Sequence, residues 1–211
     1  MMKKSITTAI LNRMEASPAC TIFTVDDFID LAVEETIRTA LYRLTQDNKI
    51  SRCINGYYTI PYKMTLIDGF GYPSTKDLAE KYAERHGWKI LPTKETVLNG
   101  LGLSTQVPVR TEYLSTGPYR EIEYYGNVIR FKHTDQLTLL QIPYPNALVI
   151  QAIKEIGKNR MTPKQFQRLC TYCKEHVFED LLCEKTKIPS WIRRILRKIE
   201  EENNGKTRAS K

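Results

Sequence analysis

The sequence predicts an α+β protein in which an N-terminal winged helix-turn-helix is followed by an α+β domain with a small antiparallel sheet and C-terminal helices. Within 24–61, helical patterns lead into two strand patterns around Asn55-Gly56, which is the strongest short-range signal for a β-hairpin. The apolar period changes to two in 109–133 and returns to helical spacing beyond Pro145. This order of elements indicates a mixed fold with more than one core.

Three helices are predicted ahead of the hairpin. The first covers 5–15, and a short second helix begins at Thr24 and ends near Leu31. Apolar residues of the third helix recur at i, i+3, i+4 and i+7, which places one stripe of the helix in a core: Ile37, Ala40, Leu41 and Leu44. Asp47-Asn48 follows this helix and tolerates the left-handed conformation that ends helices. Three helices and a hairpin in this order are the elements of a winged helix-turn-helix.

Residues on the outward side of the third helix are the predicted DNA-reading surface. We expect four of them in the major groove (Arg38, Thr39, Tyr42 and Arg43), and Arg52 and Asn55 of the hairpin against the flanking backbone. The alternative is a solvated helix face whose side chains stack at i, i+4. Glu34 and Glu35 favour that alternative because they would repel phosphates. The hairpin that follows immediately favours contact with promoter DNA, and a homodimer on DNA is one possible arrangement.

Domain boundaries are predicted from composition. Gly69, Gly71 and Pro73 lie within five residues and are typical of a linker. The predicted domains are therefore a DNA-binding domain over 1–72 and an α+β domain over 73–202. The tail 203–211 has almost no apolar residues and is predicted to be disordered.

The second domain should contain both strands and helices. Ser74 and Thr93 each begin a predicted helix, with a short strand at 88–90 between them. Three further strands are expected as an antiparallel meander over 109–114, 121–125 and 128–133. Helices follow from Pro145, from the capping box at Thr162 and near the C-terminus. The last of these has an apolar stripe, Ile192, Ile195, Leu196 and Ile199, opposite a basic face, Arg193, Arg194, Arg197 and Lys198.

Charge is distributed unevenly along the chain. The formal net charge is +8, but 1–72 has eight basic and eight acidic residues, whereas 151–211 has fifteen and eight, a surplus of +7. The basic face of the last helix is therefore the predicted contact for an acidic protein partner. A solvated face or a membrane-surface helix is the alternative for such a pattern.

No catalytic, cofactor or metal site is predicted. Cys170, Cys173, His176 and Cys183 could be zinc ligands, but both first cysteines lie on the apolar stripe of a helix, where buried thiols are common. His133 and Asp135 could form an acid-base pair, although a histidine ending a strand is more often structural. No nucleophile elbow, zincin motif or glycine-rich phosphate loop is present. These observations do not favour an enzyme.

Location is predicted from the absence of targeting features. Asn12, Arg13 and Glu15 interrupt the N-terminal apolar pattern, so no export signal is recognised. No apolar segment approaches the length needed to span a bilayer. We therefore expect a cytoplasmic protein whose five cysteines are reduced.

Three stretches carry a resemblance to a known family. TALYRLTQDNKISRCINGYYTIP resembles the winged-helix part of AbiEi-like antitoxins of type IV toxin-antitoxin systems, with Gly56, Tyr57 and Tyr58 at its end. VLNGLGLSTQVPVRTEYLSTGP and EIEYYGNVIRFKH are similar to the following segment, whose central motif is matched by Asn99, Gly102, Leu103, Ser104, Thr105, Gln106, Val107 and Pro108. Pro189-Ser190-Trp191-Ile192 is similar to the family's C-terminal signature.

The resemblance implies a DNA-binding antitoxin that represses its own operon. Its C-terminal domain would oppose a nucleotidyltransferase toxin, directly or functionally, through the basic face named above. The alternative is a winged-helix transcription regulator whose second domain binds a small ligand or forms a dimer. A neighbouring gene for a nucleotidyltransferase would separate the two hypotheses.

Overall fold

A computed structural model describes residues 5–63, 69–106, 108, 110–135, 142–176 and 188–209, with side chains up to Asn204. The fold is α+β, as predicted, and the described residues form seven α-helices, one 3-10 helix and eight strands. The chain divides into two compact units, Met1–Tyr82 and Ala83–Lys211. In the described part of the chain, no helix combines the length and the apolar composition that crossing a bilayer requires.

The first unit is built on two packed helices. Its elements are α1 (Ile6–Glu15), a 3-10 helix (Val25–Phe28), α2 (Glu34–Gln46), β1 (Ser51–Ile54), β2 (Tyr57–Thr59), β3 (Tyr62–Lys63) and β4 (Phe70–Gly71). The apolar stripe predicted for α2 is confirmed, because all four of its residues are at most 3% exposed. They pack against α1 and the 3-10 helix through Ile10, Met14 and Phe28. The 3-10 helix is shorter than the helix predicted between Thr24 and Leu31.

Backbone hydrogen bonds attach the hairpin to this core. Asn48 adopts the left-handed conformation expected after α2, with φ of 54°, so the chain can turn directly into β1. β1 and β2 pair antiparallel as predicted. Phe23 and Tyr58 exchange backbone hydrogen bonds of 2.8 Å in both directions, which adds the segment before the 3-10 helix to the edge of the hairpin. The hairpin is therefore held at a set position beside α2.

The predicted linker has regular structure. Phe70 and Gly71 form β4, which pairs antiparallel with β3. Glycine lets the Tyr62 ring pack closely here, because a Cβ at position 71 would lie 2.1 Å from this ring. The next helix, α3 (Thr75–Arg85), begins in the first unit: the Tyr82 ring stacks on Tyr57 at 5.6 Å. The boundary between the units consequently falls within α3, C-terminal to Pro73.

The second unit combines a four-stranded sheet with a helical layer. Its elements are β5 (Ile90–Pro92), α4 (Lys94–Gly100), β6 (Arg110–Ser115), β7 (Arg120–Tyr124), β8 (Asn127–His133), α5 (Tyr144–Ile156), α6 (Pro163–Glu175) and α7 (Ser190–Ala209). The core of the helical layer is formed by apolar residues of α4 to α7 together with Leu91 of β5. The capping box predicted for α6 is confirmed, since Thr162 and Gln165 exchange hydrogen bonds of 3.0 and 3.3 Å.

The predicted meander is wrong in its strand order. β8 pairs antiparallel with β7, as expected, but β6 pairs parallel with β8 rather than antiparallel with β7, so the order is β5-β6-β8-β7. The segment 116–119 must therefore cross the end of β8. A Cβ at Gly117 would lie 2.1 Å from the Trp88 ring, so only glycine fits in this crossing. The alternation of apolar residues is the same for either strand order, so it could not predict which strands pair. The close approach of Trp88 to Gly117 depends on tertiary packing.

His133 stabilises the crossing segment. Its Nδ1 lies 2.9 Å from the Gly117 carbonyl oxygen and its Nε2 lies 3.0 Å from Asp135 Oδ1. The hydrogen bond with the Gly117 carbonyl, followed by that with Asp135, raises the pKa of His133 above its usual range. Both ring nitrogens are thus engaged, which supports the structural interpretation of His133 over an acid-base role.

A first prediction concerns the pH dependence of this contact. Because the pKa of His133 is higher in the folded than in the unfolded chain, its stabilising contribution should be complete below about pH 6.5 and disappear as pH rises through the folded-state pKa. Urea unfolding of wild type between pH 6 and 8 should show this loss, and His133→Gln should not. Asp135→Asn should reduce the pH dependence only in part, since Asp135 is 98% exposed and is not the main cause of the shift. Identical profiles for wild type and His133→Gln would contradict the assignment.

The C-terminal helix differs from its prediction at one end. Ile192, Leu196 and Ile199 are buried as expected. Helix α7 continues to Ala209, across most of the segment for which the sequence predicts disorder. Asn203 Nδ2 donates a 3.2 Å hydrogen bond to the Cys170 carbonyl of α6, which holds the helix to the unit at this point.

Candidate nucleic-acid interface

The outward side of α2 is exposed as predicted. Arg38, Thr39, Tyr42 and Arg43 are all accessible to solvent, and Tyr42 keeps 62% of its surface despite its size. Helix α2 presents these side chains because its opposite stripe is fixed in the core of the first unit. The four predicted residues therefore share one continuous face of one helix.

These residues differ in how far they are already engaged. The guanidinium of Arg38 pairs with the Glu34 carboxylate one turn earlier, and this hydrogen bond raises the pKa of Arg38. The Thr39 hydroxyl donates to the Glu35 carbonyl at 3.0 Å. The Arg43 side chain makes no hydrogen bond or ion pair with the described part of the chain, and it lines an open groove of about 460 Å³ between α2 and the start of α1. Arg43 is thus the residue of this face whose charge is most available to a ligand.

The hairpin carries the other two predicted residues. Arg52 and Asn55 are exposed and hydrogen-bonded to each other across the turn. The pairing of β1 with β2 shifts between Arg52 and Ile54, so the strand has a bulge immediately before the turn. Gly56, with φ of 81°, completes the turn. The tip of the hairpin is therefore a preformed structure that presents one guanidinium.

Ion pairs in the first unit neutralise part of its acidic charge. Arg13 binds Asp30 with two hydrogen bonds of 2.7 and 2.6 Å, which lowers the pKa of that carboxyl. Lys81 pairs with Asp27 at 3.1 Å. These pairs could not be predicted from local patterns, because the partners are 17 and 54 residues apart along the chain. Each pair engages one acidic and one basic group, so Asp27 and Asp30 are compensated within the first unit.

Lys49 is a further basic residue at this surface. It follows Asn48 in the turn between α2 and β1 and is exposed. Its position between two predicted DNA-contacting elements was a signal available in the sequence. Together with Arg43 of α2 and Arg52 of the hairpin, it places an exposed cation on each of the three consecutive segments.

The predicted toxin-neutralising face lies on α7. Arg194, Arg197 and Lys198 are exposed on the side opposite the buried isoleucines and leucine of this helix. Arg193 is only partly exposed, and its Nε donates to the Ile188 carbonyl at 3.3 Å. Three of the four predicted residues are therefore accessible without any change of the fold, while Arg193 also has a local structural contact.

The zinc alternative is not supported by the positions of its described residues. Cys170 and Cys173 are both buried in the core of the second unit, and burial raises the pKa of Cys173 to about 12. The ring of His176 stacks on Tyr172, and its Nδ1 lies 3.0 Å from the Tyr172 carbonyl. Cys183 lies outside the described residues. A thiol held neutral in an apolar core is a poor metal ligand.

The motif that follows α4 forms a braced loop. Asn99 Nδ2 donates to the Gln106 carbonyl at 3.0 Å, which closes the loop on itself. From α6, Gln165 donates to the Leu103 carbonyl at 3.3 Å and Arg168 donates to the Leu101 carbonyl at 3.2 Å. Val107 of the motif lies outside the described residues. In the described part, these residues support the loop and its packing on α6.

Comparison with known protein families covers both units. A family model described as "Family of unknown function (DUF6088)" matches residues 9–181. The chain belongs to the DUF6088 family. No curated protein matches the chain significantly. Because the description of DUF6088 assigns no activity, the function must be argued from the α2 face, the hairpin and the α7 face of this member.

Proposed function

We propose that the first unit is a winged helix-turn-helix that binds promoter DNA. The observation that carries this proposal is the exposed row Arg38, Thr39, Tyr42 and Arg43 on α2, beside a hairpin whose tip presents Arg52. An α-helix with such side chains fits the major groove, and a neighbouring hairpin can follow the phosphate backbone. DNA recognition requires that these residues lie on elements that are held in fixed positions relative to each other.

The availability of each cation suggests its role. Arg43 is in no ion pair within the described part of the chain, although Glu35 lines the same groove, so it can donate two hydrogen bonds to a guanine edge. Arg38 must first give up its pair with Glu34. Arg52 is oriented by Asn55 at the hairpin tip, a position suited to a phosphate oxygen. We therefore assign base recognition to Arg43 and backbone contact to Arg52.

We further propose that the whole chain is an AbiEi-like antitoxin that counteracts a nucleotidyltransferase toxin and represses its own operon. The resemblance of the three sequence stretches motivates this step. The α7 face supports it, because Arg194, Arg197 and Lys198 are exposed together on one helix that is anchored in the core. Such a surface attracts an acidic protein and accelerates the association.

A second prediction tests the DNA-binding proposal. Arg43→Ala should weaken binding to the DNA upstream of the gene by about 1–3 kcal/mol and relax sequence discrimination, because a base contact is lost. Arg52→Ala should weaken binding to all sequences alike, because a phosphate contact is lost. The slope of log K against log salt concentration should fall by about one, since about one fewer counterion is released. Fluorescence anisotropy at several salt concentrations measures both effects.

Two controls sharpen this comparison. Lys76→Ala removes an exposed charge from α3, where no DNA contact is proposed, and should leave affinity nearly unchanged. Arg38→Ala should cost less than Arg43→Ala, since Glu34 already compensates the Arg38 charge. If Arg43→Ala and Arg52→Ala bind upstream DNA as wild type does, the first unit is not the DNA-binding element.

A third prediction tests the toxin contact. Changing Arg194, Arg197 and Lys198 together to glutamate should reduce growth rescue when the chain is co-expressed with its cognate toxin, because association becomes slower and more salt-sensitive. Arg193 is retained because it supports the start of α7. The matched control changes three exposed lysines elsewhere in the second unit to glutamate: Lys154, Lys158 and Lys164. Equal rescue by both triple variants would exclude the α7 face as the toxin contact.

A further inference from the structure

Three cations converge on one buried carboxylate in the second unit. Glu112 of β6 has only 7% of its side chain exposed, and its oxygens lie 3.0 Å from Lys94 Nζ, 3.0 Å from Lys132 Nζ and 3.4 Å from Arg130 Nη1. We call these four residues the cation cluster. Arg130 also pairs with Glu121 of β7, so the excess positive charge lies with the two lysines.

The two lysines have more donors than the fold uses. Each ammonium group has three N–H donors, and within the described part of the chain its acceptors are the oxygens of Glu112. The side chains are 59% exposed at Lys94 and 38% exposed at Lys132. Two ammonium groups that meet at one carboxylate oxygen repel each other, and one of them would be sufficient to pair with Glu112. Their remaining donors can be shared by an anion that approaches from solvent.

The backbone of Lys94 has a conformation that is unusual for a residue with a side chain. Its φ is 51°, in the left-handed region that is unfavourable for residues with a Cβ. Glycine would adopt this conformation without strain. Non-glycine residues in such conformations concentrate at functional sites. The chain thus keeps a lysine where the backbone alone would favour glycine.

An exposed aromatic ring lies beside the cation cluster. Tyr119 immediately precedes β7, and Glu121, two residues further on, pairs with Arg130 of the cation cluster. Tyr119 is 58% exposed, and its hydroxyl donates to Glu121, which fixes one end of the ring. A fixed, exposed ring next to cations is suited to stacking a nucleobase.

We propose that the cation cluster binds the phosphate of a mononucleotide, with Lys94 and Lys132 donating to the phosphate oxygens and Tyr119 stacking on the base. Glu121 and Glu123 on the neighbouring strand β7 interrupt any continuous basic track. A single phosphate group is therefore favoured over a nucleic-acid polymer. This site lies in the second unit and does not depend on DNA binding by the first.

Calorimetric titration of the full chain with AMP, adenosine and inorganic phosphate at low salt tests the proposal. AMP should bind more tightly than either adenosine or phosphate. Lys94→Gly and Lys132→Gln should each weaken AMP and phosphate binding about tenfold or more, since each removes a charge-assisted hydrogen bond. Tyr119→Leu should weaken AMP binding without changing phosphate binding. Lys164→Gln, an exposed lysine of α6, is the matched control and should change nothing.

Lys94→Gly also keeps the result interpretable, because relief of the left-handed backbone offsets the lost ion pair with Glu112, so the melting temperature should change little. Absence of saturable AMP binding up to about 10 mM would overturn the proposal, as would equal binding by wild type and a folded Lys94→Gly variant. Equal affinity for AMP and phosphate, with no effect of Tyr119→Leu, would overturn the nucleotide assignment. Binding of an oligonucleotide that depends on Lys94, in the absence of AMP binding, would also overturn the nucleotide assignment.

Discussion

Replacing Glu112 with glutamine is expected to lower the free energy of unfolding by about 3 kcal/mol. The carboxylate is buried and compensates Lys94, Arg130 and Lys132, so its removal leaves three cations close together without their shared partner. Breaking a buried ion pair typically costs about 3–5 kcal/mol. We expect the lower end because Lys94 and Lys132 reach solvent, which screens their repulsion. Urea denaturation at neutral pH measures the change.

The same carboxylate should make stability depend on pH in the acidic range. Burial alone raises the pKa of Glu112, but the hydrogen bonds from Lys94 and Lys132 outweigh it, so the pKa lies below its ordinary value. The stabilisation is therefore complete above the unfolded-state pKa of about 4.3 and is lost as pH falls through the folded-state pKa. Glu112→Gln should flatten this part of the pH profile.

Glu123 provides the control for both measurements. It is exposed on β7 of the same sheet, and Glu123→Gln should change stability by less than about 0.5 kcal/mol. If Glu112→Gln is as mild as Glu123→Gln, the cation cluster contributes little to folding. In that case the three cations would be held in place by the sheet and α4 alone.

Dividing the chain should separate the two proposed activities completely. A fragment over 73–211 should rescue cells from the cognate toxin without repressing the promoter, because the α7 face is retained and the α2 face is removed. A fragment over 1–87 should bind upstream DNA without any rescue. Both fragments include the whole of α3, since the boundary between the units falls within this helix. Colony counts under toxin induction and a promoter reporter give the two readouts.

The position of the cut provides an internal test. Ending the first fragment at 72 removes α3, and with it the stacking of Tyr82 on Tyr57 and the ion pair of Lys81 with Asp27. The 1–72 fragment should therefore melt at a lower temperature than 1–87 and bind DNA less tightly. If a soluble 73–211 fragment fails to protect cells that the intact chain protects, the first unit must take part in neutralisation.

Local patterns predicted the helices and their exposed faces well. The stripe of α2, the left-handed Asn48 and the capping box at Thr162 each depend on residues within one or two helical turns. The exposed row on α2 followed from the same periodicity, because burying one side of a helix leaves the other side in solvent. The predicted DNA-contacting residues are therefore where the sequence placed them on the helix and hairpin.

Pairings between distant segments were not accessible in this way. The parallel pairing of β6 with β8 uses the same alternation that an antiparallel meander would use, so periodicity could not distinguish the two orders. The apparent linker contains β4 because Gly71 accommodates the Tyr62 ring, whereas glycine content alone indicates flexibility. A residue's partner across the sheet is set by the packing of whole strands.

The distribution of charge along the chain was predictable from the sequence, but the contacts between charged side chains were not. Sequence counts established a neutral N-terminal segment and a basic C-terminal one, and helical spacing placed the basic face of α7 opposite its apolar stripe. The contacts between charges are visible only in the folded structure. Arg13 pairs with Asp30, and Lys94 and Lys132 both pair with Glu112. Arg43 has no ion pair with a carboxylate among the described residues. Electrostatic interactions depend on distance in space, and folding brings together side chains that are far apart along the chain.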